Sequence, residues 1–299
     1  IAQFQDQANF IRILLPNQRF LKIRENTFGQ TLIFNGQKWS GKKGILKVMS
    51  SFYNTSSFII DRKIRRANED FNINPFKDGK ENQLGLVLNF RNTLFFNRGK
   101  QRYTTNYTYL NTATDNLQSL GLQSSKLESH QLNFTHKFGK NWLLIAKGAS
   151  GTNESISENF QARNYILETF EMNPKISYLL NSQTRFDVFY NSTSKENTIN
   201  GLEVLQQQKL GASFAYANAE KISINGEFSF IDNVFSGNAF SPVAYQMLEG
   251  LQPGNNYTWR LLFQKRITKY LDANLNYNGR KSQTSNTVQT GSLQLRAFF

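Results

Sequence analysis

The residues with the plainest chemical capability are two histidines, His130 and His136, six positions apart. On an extended strand both project to one face, as a pair of metal ligands must. At ~3.3 Å per residue, however, roughly 20 Å separates them, too far for one ion to bridge. They are read as polar or interfacial side chains. Covalent catalysis needs a nucleophile with a positioned base; serines abound, but no spacing ties one to either histidine and a carboxylate. Glu154, Glu158, Glu168 and Glu171 lie near enough in sequence to hold a cation, although such charges more commonly sit solvated in a loop. The chain has no cysteine, which excludes disulfides and thiolate metal sites. No enzymatic activity, cofactor or metal is expected.

The elements that must carry these residues are strands. Leu271, Ala273, Leu275, Tyr277 and Gly279 fall on one face of an extended segment, with Asp272, Asn274, Asn276 and Asn278 on the other. Ile222, Ile224, Gly226, Phe228 and Phe230 oppose Ser223, Asn225, Glu227 and Ser229 in the same way. Successive strand side chains point to opposite faces, so each segment offers one apolar and one polar surface. A helix, with its period of about 3.6, would scramble both sets.

Segments such as 257–267 and 287–299 are longer than the ~5–6 residues of ordinary sandwich strands and match the ~9–11 a tilted strand needs to cross a bilayer. Outer-membrane barrels alternate short periplasmic turns with longer external loops. Counting back from a periplasmic Phe299, the segments 281–286, 232–254, 197–203, 152–158, 111–127 and 67–82 fall outside. The connections 268–270, 217–221, 181–184, 139–141 and 97–101 fall inside. Before residue 67 the pattern weakens to strands at 18–25, 30–39, 44–53 and 56–66, with a possible first strand at 8–15. The expected fold is an all-β, transmembrane, antiparallel up-and-down β-barrel of about 14–16 strands. It would occupy residues 18–299, with 1–17 a terminal segment or first strand; twelve strands, with residues 1–55 outside the wall, remain open.

Phe95, Phe96, Tyr103, Phe138, Trp142, Tyr216 and Tyr270 gather beside the short turns, where amphipathic rings would sit at headgroup level. Arg98, Lys100, Arg102, Lys137, Lys140, Lys221, Arg266 and Lys269 gather there too. They could meet anionic headgroups or an acidic periplasmic partner, or simply be solvated turn chemistry. The formal net charge of +14 raises nucleic-acid binding, but no RNP-like or helix-turn-helix pattern accompanies it, so none is expected. The first residues carry no basic start and apolar middle of a signal peptide; either one has been removed or the chain is the C-terminal part of a longer polypeptide.

The ending Gly291, Leu293, Leu295, Ala297 and Phe299 resembles the C-terminal β-signal of outer-membrane proteins, a final amphipathic strand with a terminal aromatic. That resemblance implies recognition by the barrel-assembly machinery. Residues 248–259 (Leu-Glu-Gly-Leu-Gln-Pro-Gly-Asn-Asn-Tyr-Thr-Trp) and 278–282 (Asn-Gly-Arg-Lys-Ser) resemble the closing region of large outer-membrane barrel proteins of the Bacteroidota. This implies an outer-membrane location with the C-terminus at the periplasmic side. Contacts would be to membrane lipids, to lipopolysaccharide or solvent through outer segments such as 61–80, rich in charges of both signs, and to protein partners of an envelope complex. Two functions are compatible with this: a membrane anchor or structural subunit, or a passive channel whose Arg91, Arg260, Arg266 and Arg296 favour anions.

Overall fold

The computed structural model describes residues 22–65, 83–100, 102–118, 121–199, 203–218 and 221–298. The strands β1 (Ile23–Asn35) and β2 (Phe52–Arg65) are joined through residues 36–51, which hold a 3-10 turn and a short helix, α1 (Ile45–Met49). There follow β3 (Gln83–Phe96), β4 (Tyr103–Gln118), β5 (Gly121–Phe138) and β6 (Trp142–Ser157). β7 (Tyr165–Leu179), β8 (Thr184–Asn197), β9 (Val204–Asn218) and β10 (Ile222–Ser236) continue the series. A second helix, α2 (Pro242–Met247), precedes β11 (Gly254–Thr268), β12 (Leu271–Ser282) and β13 (Val288–Ala297). All form one 13-stranded antiparallel sheet in sequence order, the meander that the alternating connections require. Among the described residues β1 and β13 are its two ends.

Several expectations are corrected. Residues 18–66 were expected to give four strands, and the described part gives two: 30–39 and 44–53 are replaced by the end of β1 and by the α1 connection. Gly36 is the reason the chain turns there. It is buried, and a Cβ on it would stand 2.0 Å from the Met49 carbonyl oxygen and 2.6 Å from that of Phe52. After it, Ile45, Leu46, Val48 and Met49 follow helical rather than alternating spacing. Among the described residues the sheet therefore shows 13 strands rather than the expected 14–16; residues 8–15 and 1–17 lie outside the described residues, as do all of 67–82 and Phe299.

The expected outer loop 111–127 is also strand, since β4 runs to Gln118 and β5 resumes at Gly121. Likewise β6 extends through Ser157, where 152–158 was expected to be loop. Both errors have one cause. Here the strands are polar on both faces, so alternation, the signal used to find strands, disappears. Long and short connections alternate from β5 to β13, with 237–253 long and 139–141, 219–221 and 269–270 short, but the sixteen-residue connection 36–51 lies at the short-turn end and breaks the pattern.

The registers show that one face is continuous. Phe228 lies opposite Ala212 and Trp259, Phe263 opposite Ile224 and Leu275, and Leu275 opposite Leu293. The series continues through Phe214, Phe186, Tyr178 and Trp142 to Phe138. Along β10 and β12 the apolar run spans Ile222 to Phe230 and Leu271 to Gly279, about the length that crosses hydrocarbon. Toward the long-loop end the same face turns acidic, with Glu128, Glu154, Glu168 and Glu196 on β5 to β8.

Close approach of strands depends on glycine at one position above all. A Cβ on Gly151 would fall 2.1 Å from the Glu128 carbonyl oxygen and 2.9 Å from Ser129 Cα, both backbone. Gly151→Ala is expected to destabilise the protein by about 1–3 kcal/mol through forced separation of β5 and β6. Urea unfolding measures this, and an unchanged midpoint would contradict the contact.

Candidate functional site

Burial is inverted relative to a water-soluble protein. On the apolar face Leu293 is 67% and Leu210 54% exposed, whereas on the opposite face Ser229 and Asn256 are fully buried. The polar face also carries Arg91, Arg260, Arg266 and Arg296, as their registers against Ser57, Asn278, Asp272 and again Asp272 require. Arg266 approaches Asp272 at 3.6 Å, Arg185 approaches Asp187 at 3.1 Å and Lys209 approaches Glu227 at 3.4 Å. Arg91, Arg260 and Arg296 have no carboxylate within ion-pair distance among the described residues.

At the long-loop end the polar face is interrupted by an apolar island, on which residues 237–253 pack. Ser241 caps α2, its Oγ accepting from the Ala244 N–H at 2.9 Å, and Pro242 needs no partner for a missing N–H at the first helical position. One side of α2 then presents Val243, Ala244 and Met247, followed by Leu248, all buried against Leu167 of β7 and Leu205 of β9. Tyr165 and Phe235 flank the cluster. Because the strand side of this contact lies on the face that is otherwise polar, the loop folds over that face rather than away from the sheet.

Polar side chains from several strands hold the loop. Lys195 Nζ of β8 donates to the Met247 carbonyl at 3.1 Å and meets Glu249 Oε1 at 2.7 Å. Glu203 accepts from Asn197 Nδ2 at 2.8 Å and from Ser241 Oγ at 3.0 Å, linking β8 to the cap. The Gln252 carbonyl accepts from Asn233 Nδ2 at 3.0 Å and Asn256 Nδ2 at 2.8 Å, while Arg280 Nη1 donates to the Gly250 carbonyl at 3.0 Å. Gly250, with φ +75°, lets the chain turn back after the helix, a conformation that L side chains adopt only under strain. Buried amides are costly unless bonded, so this network fixes the position of the loop as well as stabilising it.

Of the residues singled out by type, His130 and Glu168 line one open cleft of about 500 Å³ with Glu128 and Glu196, while His136, Glu154, Glu158 and Glu171 lie outside it. His130 and His136 do share the apolar-side face of β5, but their surroundings are aromatic. The Tyr107 hydroxyl lies 2.7 Å from His130 Nδ1, and His136 stacks between Phe134 and Phe138 with ring centroids 6.1 and 6.0 Å apart. Glu154 and Glu168 lie on that face and Glu171 on the polar one, while Glu158 accepts from the Leu122 N–H at 2.9 Å. Among the described residues no cluster of histidines and carboxylates could hold a metal ion.

The basic residues Arg98, Lys100, Arg102, Lys137, Lys140, Lys221, Arg266 and Lys269 all lie in or beside the short connections at one end of the sheet. Arg98 stacks over Tyr53 at 3.8 Å, and Lys269 over Tyr270 at 4.7 Å. Phe96, Tyr103, Phe138, Trp142 and Tyr216 sit on the apolar face at that end, whereas Phe95 points to the polar one. Of the terminal motif, Gly291, Leu293, Leu295 and Ala297 share the apolar face of β13.

No family model matches the chain, and no curated protein matches it. Among solved structures, the fold is similar to the transport unit of the autotransporter AIDA-I from Escherichia coli. The identity is 11% and the TM-score 0.33, over 96% of this chain and 93% of that one. The registers and faces of this chain itself therefore carry its functional assignment.

Proposed function

We propose that the chain forms the wall of a bacterial outer-membrane β-barrel, with its short turns and C-terminus at the periplasm, serving as a membrane anchor or structural subunit of an envelope complex. The inverted burial carries this proposal. Among the described residues the apolar face stands largely exposed across the sheet, with Leu132, Leu210, Phe228 and Leu293 at least half exposed, whereas soluble monomers rarely expose a contiguous apolar patch beyond a few hundred Å². Lipid is the solvent that makes it favourable, provided the backbone is paired within the sheet, as the ladders between consecutive strands provide. Membrane lipids and lipopolysaccharide are then its surroundings, and the β13 residues Gly291, Leu293, Leu295 and Ala297 the feature read by the barrel-assembly machinery. No catalytic role is assigned.

The folded-in loop 237–253 favours the anchor over an open pore, because it occupies the polar face where a channel would run. One observation favours the second reading: Arg91, Arg260 and Arg296 give that face positive charge with no carboxylate in ion-pair distance among the described residues, which would select anions. Planar-bilayer conductance separates the two. The anchor reading expects little or no steady current; a stable, anion-selective open pore from the unmodified protein would defeat it.

A further inference from the structure

We propose that the cleft between residues 36–51 and the turn following β3 binds the headgroup of an anionic phospholipid in the leaflet at the short-turn end. The site depends on the proposed membrane location and adds a ligand to it.

The cleft has a volume of about 380 Å³ and is lined by Ser40, Ser51, Phe52, Arg98 and Lys100, with no carboxylate among its lining residues. Residues 36–51 add Lys38, Lys42, Lys43 and Lys47 and contain neither Asp nor Glu. The segment is held in shape by the tight seat of Gly36 and by the Asn97 N–H, which donates to the Ser51 carbonyl at 2.8 Å. Arg98 is steadied by its stack on Tyr53, at the end of the sheet's polar face, so it reaches the cleft around the strand ends from the side opposite Phe52. Two cations, three serines (Ser40, Ser50 and Ser51) and the Tyr53 hydroxyl around one small space offer donors that match the oxygens of a phosphodiester.

The apolar surroundings point to a lipid rather than to free phosphate. Trp39 packs on Phe34 at 5.1 Å and Phe52 on Phe96 at 5.3 Å, and Phe34, Phe52 and Phe96 lie on the apolar face, where acyl chains would run. Beside them α1 leaves Ile45 80% and Val48 61% exposed, between lysines. An apolar helix face with flanking cations is suited to the boundary between headgroups and acyl chains.

The test uses the whole protein in vesicles of phosphatidylcholine alone or mixed with phosphatidylglycerol. Native mass spectrometry would report which lipid the protein retains. A polarity-sensitive dye on Val48→Cys, unique because the chain lacks cysteine, would report the position of α1. Phosphatidylglycerol should be retained preferentially, and Arg98→Gln with Lys100→Gln should lower its retention roughly 25-fold, about fivefold for each charge. The Val48 dye should enter an apolar environment only when phosphatidylglycerol is present. Equal retention of both lipids, retention unchanged in the double variant, displacement by inorganic phosphate alone, or a dye that stays in water would each overturn the site. The last result would leave α1 to an acidic protein instead. The same dye on Leu275→Cys should sit in hydrocarbon in both vesicles; failure there would fault the membrane location rather than the lipid site.

Discussion

Leu275→Arg is expected to destabilise the protein by about 2–4 kcal/mol, the cost of a cation near the middle of a lipid-facing barrel strand. Leu275 stands midway along the apolar run of β12, between Phe263 of β11 and Leu293 of β13. No carboxylate shares that part of the face, so the guanidinium could reach water only by snorkelling toward a rim. Asn276→Arg, one residue on, should be much milder, because Asn276 faces the polar side opposite Leu262 and Ser292. Denaturant unfolding from vesicles measures both. Equal losses from the two substitutions would contradict the assignment of faces.

Leu205→Asp is the second large effect. Leu205 is fully buried under Val243, Met247 and Leu248, and burial of such a side chain is worth about 1.5–3 kcal/mol. A carboxylate in its place would also lose hydration with no partner in the island, so the loop should leave the polar face. At about 1.4 kcal/mol per factor of ten, the loss raises the open population of residues 237–253 by roughly 10- to 100-fold. Limited proteolysis within that loop should accelerate accordingly, with the strands intact. If the barrel interior is otherwise clear, the same variant should show new conductance. A loop as protease-resistant as in the unmodified protein would mean that the island is not what holds it.

These two sites differ in how far they can be read from sequence. The apolar face of β12 is legible because Leu271 to Gly279 alternate strictly between an apolar and a polar face. Where both faces are polar, alternation carries no information, and Gly121 to Leu127 reads as loop although it is strand. Residues 36–51 mislead for the opposite reason: their apolar residues are real, but Gly36 and helical spacing, not alternation, decide their structure. The loop 237–253 is located by its length, but not its inward fold. Ser241-Pro242, a capping residue and a first-turn proline, with Val243, Ala244, Met247 and Leu248 at helical spacing, signals a helix with one apolar side. What that side packs on is not readable, because Leu167 and Leu205 are brought to it only by strand register.

On the proposed membrane location, the face bearing Leu275 meets lipid and the face bearing Asn276 does not. Single cysteines placed in turn at each position from Ala273 to Asn278, labelled with a fluorophore in vesicles containing a lipid-borne quencher, test it most directly. Strong quenching at Ala273, Leu275 and Tyr277 with weak quenching at Asn274, Asn276 and Asn278 is the predicted result. Uniform quenching, or strong quenching at the asparagine positions, would contradict it.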